Sequence, residues 1–276
     1  MKIDLVFITY NRLEYTKLAL KSVLADPQEK FSLTIWDNGS TDGTIEYLKN
    51  KVKDPRISNI IFSKANIGQV AAINQIWSHS KADLVGKLDN DCLVTSGWTR
   101  VLAKAHEGID KLGVVACWHF FPEDFNYELA KHKIQSFGNH QIFRHPWTCG
   151  TGLLLKRKIF NQIGPIQGRS TTKYWLKIAL RGFINGFYFP LIYQEHMDDP
   201  RSKYCNIHKM SFNYAYKHSF GYQTKAIKNI NEYKSLHDKI IHNLLYDPFE
   251  AKFYTGWRVI YKKFVKKIEN AIKFSK

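Results

Sequence analysis

The chain has 276 residues, enough for one large domain or a domain with a small appendage. Its 44% hydrophobic and 24% charged residues are an ordinary globular mixture, which excludes a fibrous or low-complexity chain. Lys and Arg number 41 against 24 Asp and Glu, a net charge of +17, so an anionic partner is implied: a phosphorylated substrate, nucleic acid or an anionic membrane.

Ile3-Asp4-Leu5-Val6-Phe7-Ile8 predicts a buried strand, followed by the turn Thr9-Tyr10-Asn11-Arg12. Tyr15, Leu18, Ala19, Ser22 and Val23 recur at helical spacing. A second strand, Leu33-Thr34-Ile35-Trp36, breaks at Asp37-Asn38-Gly39-Ser40, and Thr41 or Asp42 can cap the helix that carries Ile45 and Leu48. A third strand over 57–62 meets the turn Asn66-Ile67-Gly68-Gln69, then a helix with Val70, Ala71, Asn74 and Trp77. A fourth, Leu84-Val85-Gly86-Lys87-Leu88, ends in Asp89-Asn90-Asp91. Strands alternating with helices across short connections predict an α/β fold with a mainly parallel sheet. Trp98, Leu102 and Ala105 mark a further helix, and residues 114–118 a strand. Residues 119–147, rich in His, Phe and Asn, are expected to be an irregular loop region over a site. Then come the apolar run Leu153-Leu154-Leu155, a helix over 156–163 stopped by Gly164-Pro165, a helix with Tyr174, Trp175, Ile178 and Ala179, and a strand over 186–190.

Cys92, Cys117, Cys149 and Cys205 show no C-x-x-C spacing, which argues against disulfides and zinc and fits a reducing, cytoplasmic setting. No apolar run approaches the length of a membrane span, and the opening residues do not fit a signal peptide.

Alternation along an extended segment sends Asp89 and Asp91 to one side, and the carboxyl end of such a strand faces the ligand crevice. Two carboxylates there need a cation or donors, and a hard divalent ion bridging to phosphates is a natural partner. Taken alone, a polar strand-end turn explains the same residues.

Four motifs stand in order at four strand ends: Thr9-Tyr10-Asn11-Arg12, Asp37-Asn38-Gly39-Ser40-Thr41-Asp42-Gly43-Thr44, Asn66-Ile67-Gly68 and Asp89-Asn90-Asp91. Together with Cys149-Gly150-Thr151-Gly152 and the stretch from Arg181-Gly182 to Pro190, they closely resemble the family 2 glycosyltransferases of GT-A fold, over roughly residues 3–200. The resemblance implies a nucleotide-sugar donor across the strand ends, held by Thr9, Tyr10, Asn11, Arg12, Asp37, Asn66, Gly68, Asp89 and Asn90. Tyr10 could stack on the base. Asp37 could accept from a uracil or thymine imide, or equally act as a cap. Asp91, Asp89 and His196 would hold Mn²⁺ or Mg²⁺, which stabilises the departing nucleoside diphosphate. An ordinary surface loop accounts for His196 as well.

The pattern breaks at the general base. No Asp or Glu occurs between Thr151 and Gln194, where Ser170-Thr171-Thr172-Lys173 replaces the acid that the resemblance leads one to expect. The next acids, Glu195, Asp198 and Asp199, follow a predicted strand and are the base candidates, although Asp198-Asp199-Pro200 also suits a turn. Glu123-Asp124 is a weaker candidate. The expected reaction is inverting transfer from a UDP- or dTDP-sugar to a saccharide or lipid-linked saccharide in bacterial surface-polysaccharide synthesis, with a retaining mechanism as the alternative. Nucleotidyl transfer would call for a Gly-rich phosphate loop that residues 9–20 lack. A nucleic-acid partner is not expected, because the basic charge gathers in the last quarter, away from the strand-end motifs.

The expected organisation is a catalytic domain over 1–204, with a nucleotide-sugar part over 1–95 and an acceptor part over 96–204, and a helical basic extension over 205–276. Trp257, Ile260, Tyr261, Phe264, Val265, Ile268 and Ile272 recur at helical spacing beside lysines. Such a helix over 256–274 would dock on an anionic membrane at the cytoplasmic face of the inner membrane, or else pack on the catalytic domain or on a second subunit in a homo-oligomer.

Overall fold

A computed structural model describes residues 1–219, 222–223 and 225–257. The amphipathic segment expected over 256–274 lies outside the described residues from 258 on. No helix of the described residues is long and apolar enough to cross a membrane.

The first half alternates as the sequence predicts: β1 (Ile3–Thr9), α1 (Leu13–Leu24), β2 (Ser32–Asp37), α2 (Thr44–Asn50), β3 (Ile57–Phe62), α3 (Gln69–His79) and β4 (Leu84–Asp89). Then follow β5 (Cys92–Val94), α4 (Trp98–Gly108), β6 (Leu112–Ala116), α5 (Tyr127–Ala130), β7 (Ile134–Phe137), β8 (His140–Arg144) and β9 (Leu153–Lys156). The chain continues through α6 (Arg157–Ile163), α7 (Thr172–Leu180), β10 (Ile184–Phe189), β11 (Gln194–His196), α8 (Asn206–Lys209), α9 (Phe212–His218) and α10 (Ile230–Tyr246).

Nine strands form one sheet in the order β3-β2-β1-β4-β9-β6-β10-β8-β7. All run one way except β8 and β9, so the sheet is mostly parallel, with a reversed strand near its centre. Strands buried on both faces need apolar runs rather than alternation, which is what β1 and β4 show. Leu5 and Phe7 pack on Ala19 and Leu20 of α1, Leu48 of α2 and Leu102 of α4. Val6 and Ile8 face the other way, toward Ile73 and Trp77 of α3, Phe160 of α6 and Trp175 of α7.

Residues 119–147 correct the expectation of an irregular loop. β7 and β8 form a hairpin across Gly138 and Asn139, and β8 adds to the sheet beside β10. The two-residue Gly-Asn turn, with Gly138 at φ 56°, is a hairpin signal that aromatic and histidine content obscured.

The carboxyl ends of the parallel strands lie in register, Thr9 opposite Asp37 and Ile8 opposite Asp89. β5 then pairs antiparallel with β11, which sets Cys92 opposite His196 and returns residues 195–199 to that rim. Beyond it, Ile241, Leu244 and Leu245 of α10 join the core on the α3 side. Buried Lys133 donates to the carbonyls of Leu244 and Asp247 at 2.5 and 2.9 Å, fastening the end of α10 to the hairpin.

Candidate active site

The turn after β1 holds two consecutive left-handed residues, Asn11 at φ 52° and Arg12 at φ 63°. Asn adopts this conformation readily; for Arg it costs on the order of 1 kcal/mol. Neighbouring strand ends hold the turn. Asn11 N donates to Ser40 Oγ at 2.7 Å, and Thr41 N donates to Asn11 Oδ1 at 2.8 Å. Asn90 Nδ2 lies within 3.2 Å of Thr9 Oγ1, Asn11 O and Thr16 Oγ1. Asn90, expected to touch the nucleotide, therefore uses its side chain inside the protein to brace the first turn, and Thr9 is buried beside it.

Asp37 has no exposed surface. Its carboxylate accepts from Gly39 N at 3.0 Å, Ser40 N at 2.9 Å and Ser40 Oγ at 2.5 Å, so it shapes its own loop. Asp42, one residue before the N-cap Gly43, accepts from Thr44 N at the start of α2 and from Leu13 N at the start of α1. Tyr10 stands 44% exposed on the rim. Asn66 Oδ1 accepts from Gly68 N at 2.9 Å, and nothing lies within 4 Å of the place a Gly68 Cβ would take.

At the end of β4 the two carboxylates part company. Asp89 accepts from Lys87 Nζ at 2.7 Å, and the same ammonium donates to Gln69 Oε1 at 2.5 Å and Gly150 O at 2.8 Å. Asp89 N donates to Thr151 Oγ1 at 2.9 Å. The loop over 148–152 is thereby pinned to the strand end. Gly152, at φ 60°, leaves room there for the buried amide of Gln194, which a Cβ would strike at 2.1 Å.

Asp91, His196 and Asp198 converge, with one ligand atom from each lying within 4.8 Å of the others. His196 Nε2 is 3.7 Å from Asp91 Oδ2. Arg12 reaches the same carboxylates, from Nη1 to Asp91 Oδ2 at 3.3 Å and from Nη2 to Asp198 Oδ1 at 2.5 Å. Burial pushes the Asp91 carboxyl up, but the nearby imidazole of His196, with the charge of Arg12, outweighs it and holds Asp91 well below the usual carboxylate range. Burial pulls His196 down, and Asp91 more than restores it, so this imidazole lies above its ordinary value. His119, which stands in no sequence motif, has its ring centroid 4.4 Å from that of His196. Burial and the charge of His196 keep it well below the usual imidazole range. Its position, 27 residues from Cys92 in sequence, leaves no local signal.

The acids expected as base go to different places. Asp198 joins Asp91 and His196. Asp199 is buried against Arg201 at 2.8 Å and His237 at 3.4 Å, and Arg201 also grips Asp124. Glu195 accepts from Ser202 Oγ at 2.6 Å and, next to His196 in a strand, projects from the opposite face of the ribbon. Two carboxylates and an imidazole are an oxygen and nitrogen donor set that suits Mn²⁺ or a similar divalent ion.

Residues 4–167 match the model of glycosyl transferase family 2. The chain is 28% identical over 192 residues to an uncharacterized glycosyltransferase of Rickettsia conorii, covering 67% of this chain and 31% of that one. The chain thus spans about a third of that relative's length. Among solved structures, a mannosyltransferase of Pyrobaculum calidifontis in complex with GDP-Man and Mn²⁺ superposes with a TM-score of 0.58 at 18% identity, over 88% of this chain and 69% of that one. GalNAc-T7 with UDP, GalNAc and Mn²⁺ gives 0.54 at 14% identity, over 71% and 44%. The fold is GT-A.

Proposed function

The chain belongs to glycosyl transferase family 2, and we propose that it transfers a sugar from a nucleoside-diphosphate sugar to a saccharide or lipid-linked saccharide. The observation that carries this reading is the convergence of Asp91, His196 and Asp198 at the end of β4, on the rim where the parallel strands finish. Those three side chains would hold Mn²⁺ or Mg²⁺, and both solved neighbours carry Mn²⁺. A divalent ion there would stabilise negative charge on the leaving diphosphate. Tyr10 offers an exposed ring on which a base can stack. Asn66 shapes the turn before Gly68, where open space lets a nucleotide approach the backbone. Lys87 holds Asp89 facing the same crevice.

A pyrimidine base was expected from Asp37, whose carboxylate is sealed within its own loop. The neighbours carry GDP-Man in one case and UDP in the other, which supports a nucleoside-diphosphate sugar as the donor class. Thermal-shift titration with UDP, dTDP and GDP, each with and without Mn²⁺, tests the reading. A metal-dependent shift with at least one of them is expected, and no shift with any of them refutes it.

A retaining mechanism is the second reading. It is favoured by one observation: Asp198, Asp199 and Glu195 are committed to the Arg12 pair, the Arg201 clamp and Ser202. The anomeric configuration of the product, read by NMR, separates retention from inversion. The basic, aromatic-bearing sequence after Gly256 supports an acceptor presented at an anionic, cytoplasmic membrane face. Co-sedimentation of the full chain with anionic but not neutral liposomes is the expected outcome.

A further inference from the structure

Two of the three side chains proposed to hold a metal already hold a cation. Arg12 donates to Asp91 Oδ2 and Asp198 Oδ1, two of the three converging groups. Its side chain is only 7% exposed, and its guanidinium carbon sits 4.3 Å from the centroid of the Tyr15 ring. A guanidinium cannot leave by losing its proton. Yet the seat suits it incompletely. Nε is buried with no hydrogen-bond partner among the described residues, and the backbone beneath is left-handed at both Asn11 and Arg12. A divalent ion entering between Asp91 and Asp198 would compete with the guanidinium for the same oxygens. Held on the same two carboxylates and away from water, the two cations would repel strongly.

We infer that Arg12 is a resident counter-cation that keeps the divalent ion off the free enzyme, so that metal and nucleoside diphosphate bind together. The inference rests on the metal site proposed above. A diphosphate supplies what the free protein lacks: oxygen ligands for the ion, and an anion for the displaced guanidinium at the head of α1. By linkage, each partner then raises the affinity for the other by the same factor. The opposite arrangement, in which Arg12 fixes the carboxylates in ligating positions, predicts an effect of opposite sign.

Mn²⁺ binding to the full chain, read from the EPR signal of the free ion, decides between them. It is measured alone and with UDP or GDP, after correction for Mn²⁺ held by nucleotide in solution. Wild type is expected to bind Mn²⁺ at least tenfold more tightly with nucleotide than without. Arg12→Met, which keeps the stem packed on Tyr15, is expected to bind Mn²⁺ alone at least tenfold more tightly than wild type alone. Arg12→Lys keeps the charge and is expected to stay close to wild type. Arg12→Gln replaces Arg12→Met if the latter lacks a cooperative thermal transition. Unchanged or weaker Mn²⁺ binding by the neutral variant overturns the inference and leaves the metal site standing, provided wild type takes up Mn²⁺ with nucleotide. If wild type takes up none with either nucleotide, the metal site fails and the inference fails with it.

Discussion

The ammonium of Lys87 lies 2.7 Å from the carboxylate of Asp89, two residues further along the same strand. Side chains two apart share a face of a strand, so the lysine runs along β4 toward the rim and fixes the carboxylate there. It is 1% exposed, and Gln69 and Gly150 take its other protons. A buried ammonium is tolerated when its donors are all used.

Lys87→Met should lower stability, because Asp89 and the Gly150 carbonyl lose their donor, but should not unfold the chain, because the Asp89 side chain still meets water. It should release Asp89 and the loop over 148–152. By analogy with groups that orient a binding residue, kcat/KM for the donor should fall by roughly 10–100-fold. Steady-state kinetics beside a thermal melt check this; wild-type kcat/KM would remove the positioning role.

Asp198 and Asp199 are neighbours with different partners, Arg12 and Arg201. Asp198→Asn should abolish Mn²⁺-dependent stabilisation by nucleotide. Asp199→Asn should leave that stabilisation in place and lower stability by about 1–3 kcal/mol, because it opens a clamp whose other member, Arg201, is a third exposed. Chemical denaturation and metal titration of both variants would separate the roles.

Lys133 ties α10 to the hairpin through the last carbonyls of the helix. Lys133→Met leaves those acceptors without their donor, at a cost of about 1–3 kcal/mol. Hydrogen exchange should quicken over 230–246 more than over β1 or β4. Uniform change across the chain would count against a local anchor.

His106 is buried in α4 with Nε2 donating to Leu154 O at 3.2 Å, and burial lowers it from 6.5 to about 3. The unfolded chain therefore binds a proton that the folded chain refuses between those values. Stability contributed by the neutral ring is complete above pH 6.5 and is lost as pH falls toward 3. From pH 6.5 to 4.5 the loss should be about 2 kcal/mol. His106→Gln should flatten that part of the stability profile, as followed by urea denaturation at a series of pH values.

The strand-end motifs were legible because each is local: an apolar run, then turn residues within a few positions. Asp91 and His196 could be named as candidate metal ligands for that reason, each at the end of a short strand. Their meeting through the β5–β11 ribbon joins segments about a hundred residues apart, and no local pattern encodes such pairing. The duties of Asn90 and Lys87 were hidden for a related reason. A side chain's neighbours across the sheet decide whether it faces ligand or protein, and those neighbours, Thr16 and Gly150, lie elsewhere in the sequence. Asp198 carried the right chemistry for two roles, metal ligand or base, and only its proximity to Asp91 favoured the first.

The reversed strand β9 also bears on the order in which the molecule can be built. It sits between β4 and β6, yet its residues come about forty positions after β6 ends. While a nascent chain emerges, β1 to β4 can assemble, but β4 keeps an unpaired edge until residue 156 is available. A fragment ending before Leu153 leaves both β4 and β6 without the strand between them, two bare backbone ladders of mostly apolar residues, which invites pairing with other chains. Truncations on either side of β9 should therefore differ sharply in solubility, since the strand that delivers the Gly150 loop to the crevice also closes the gap between the two halves of the sheet.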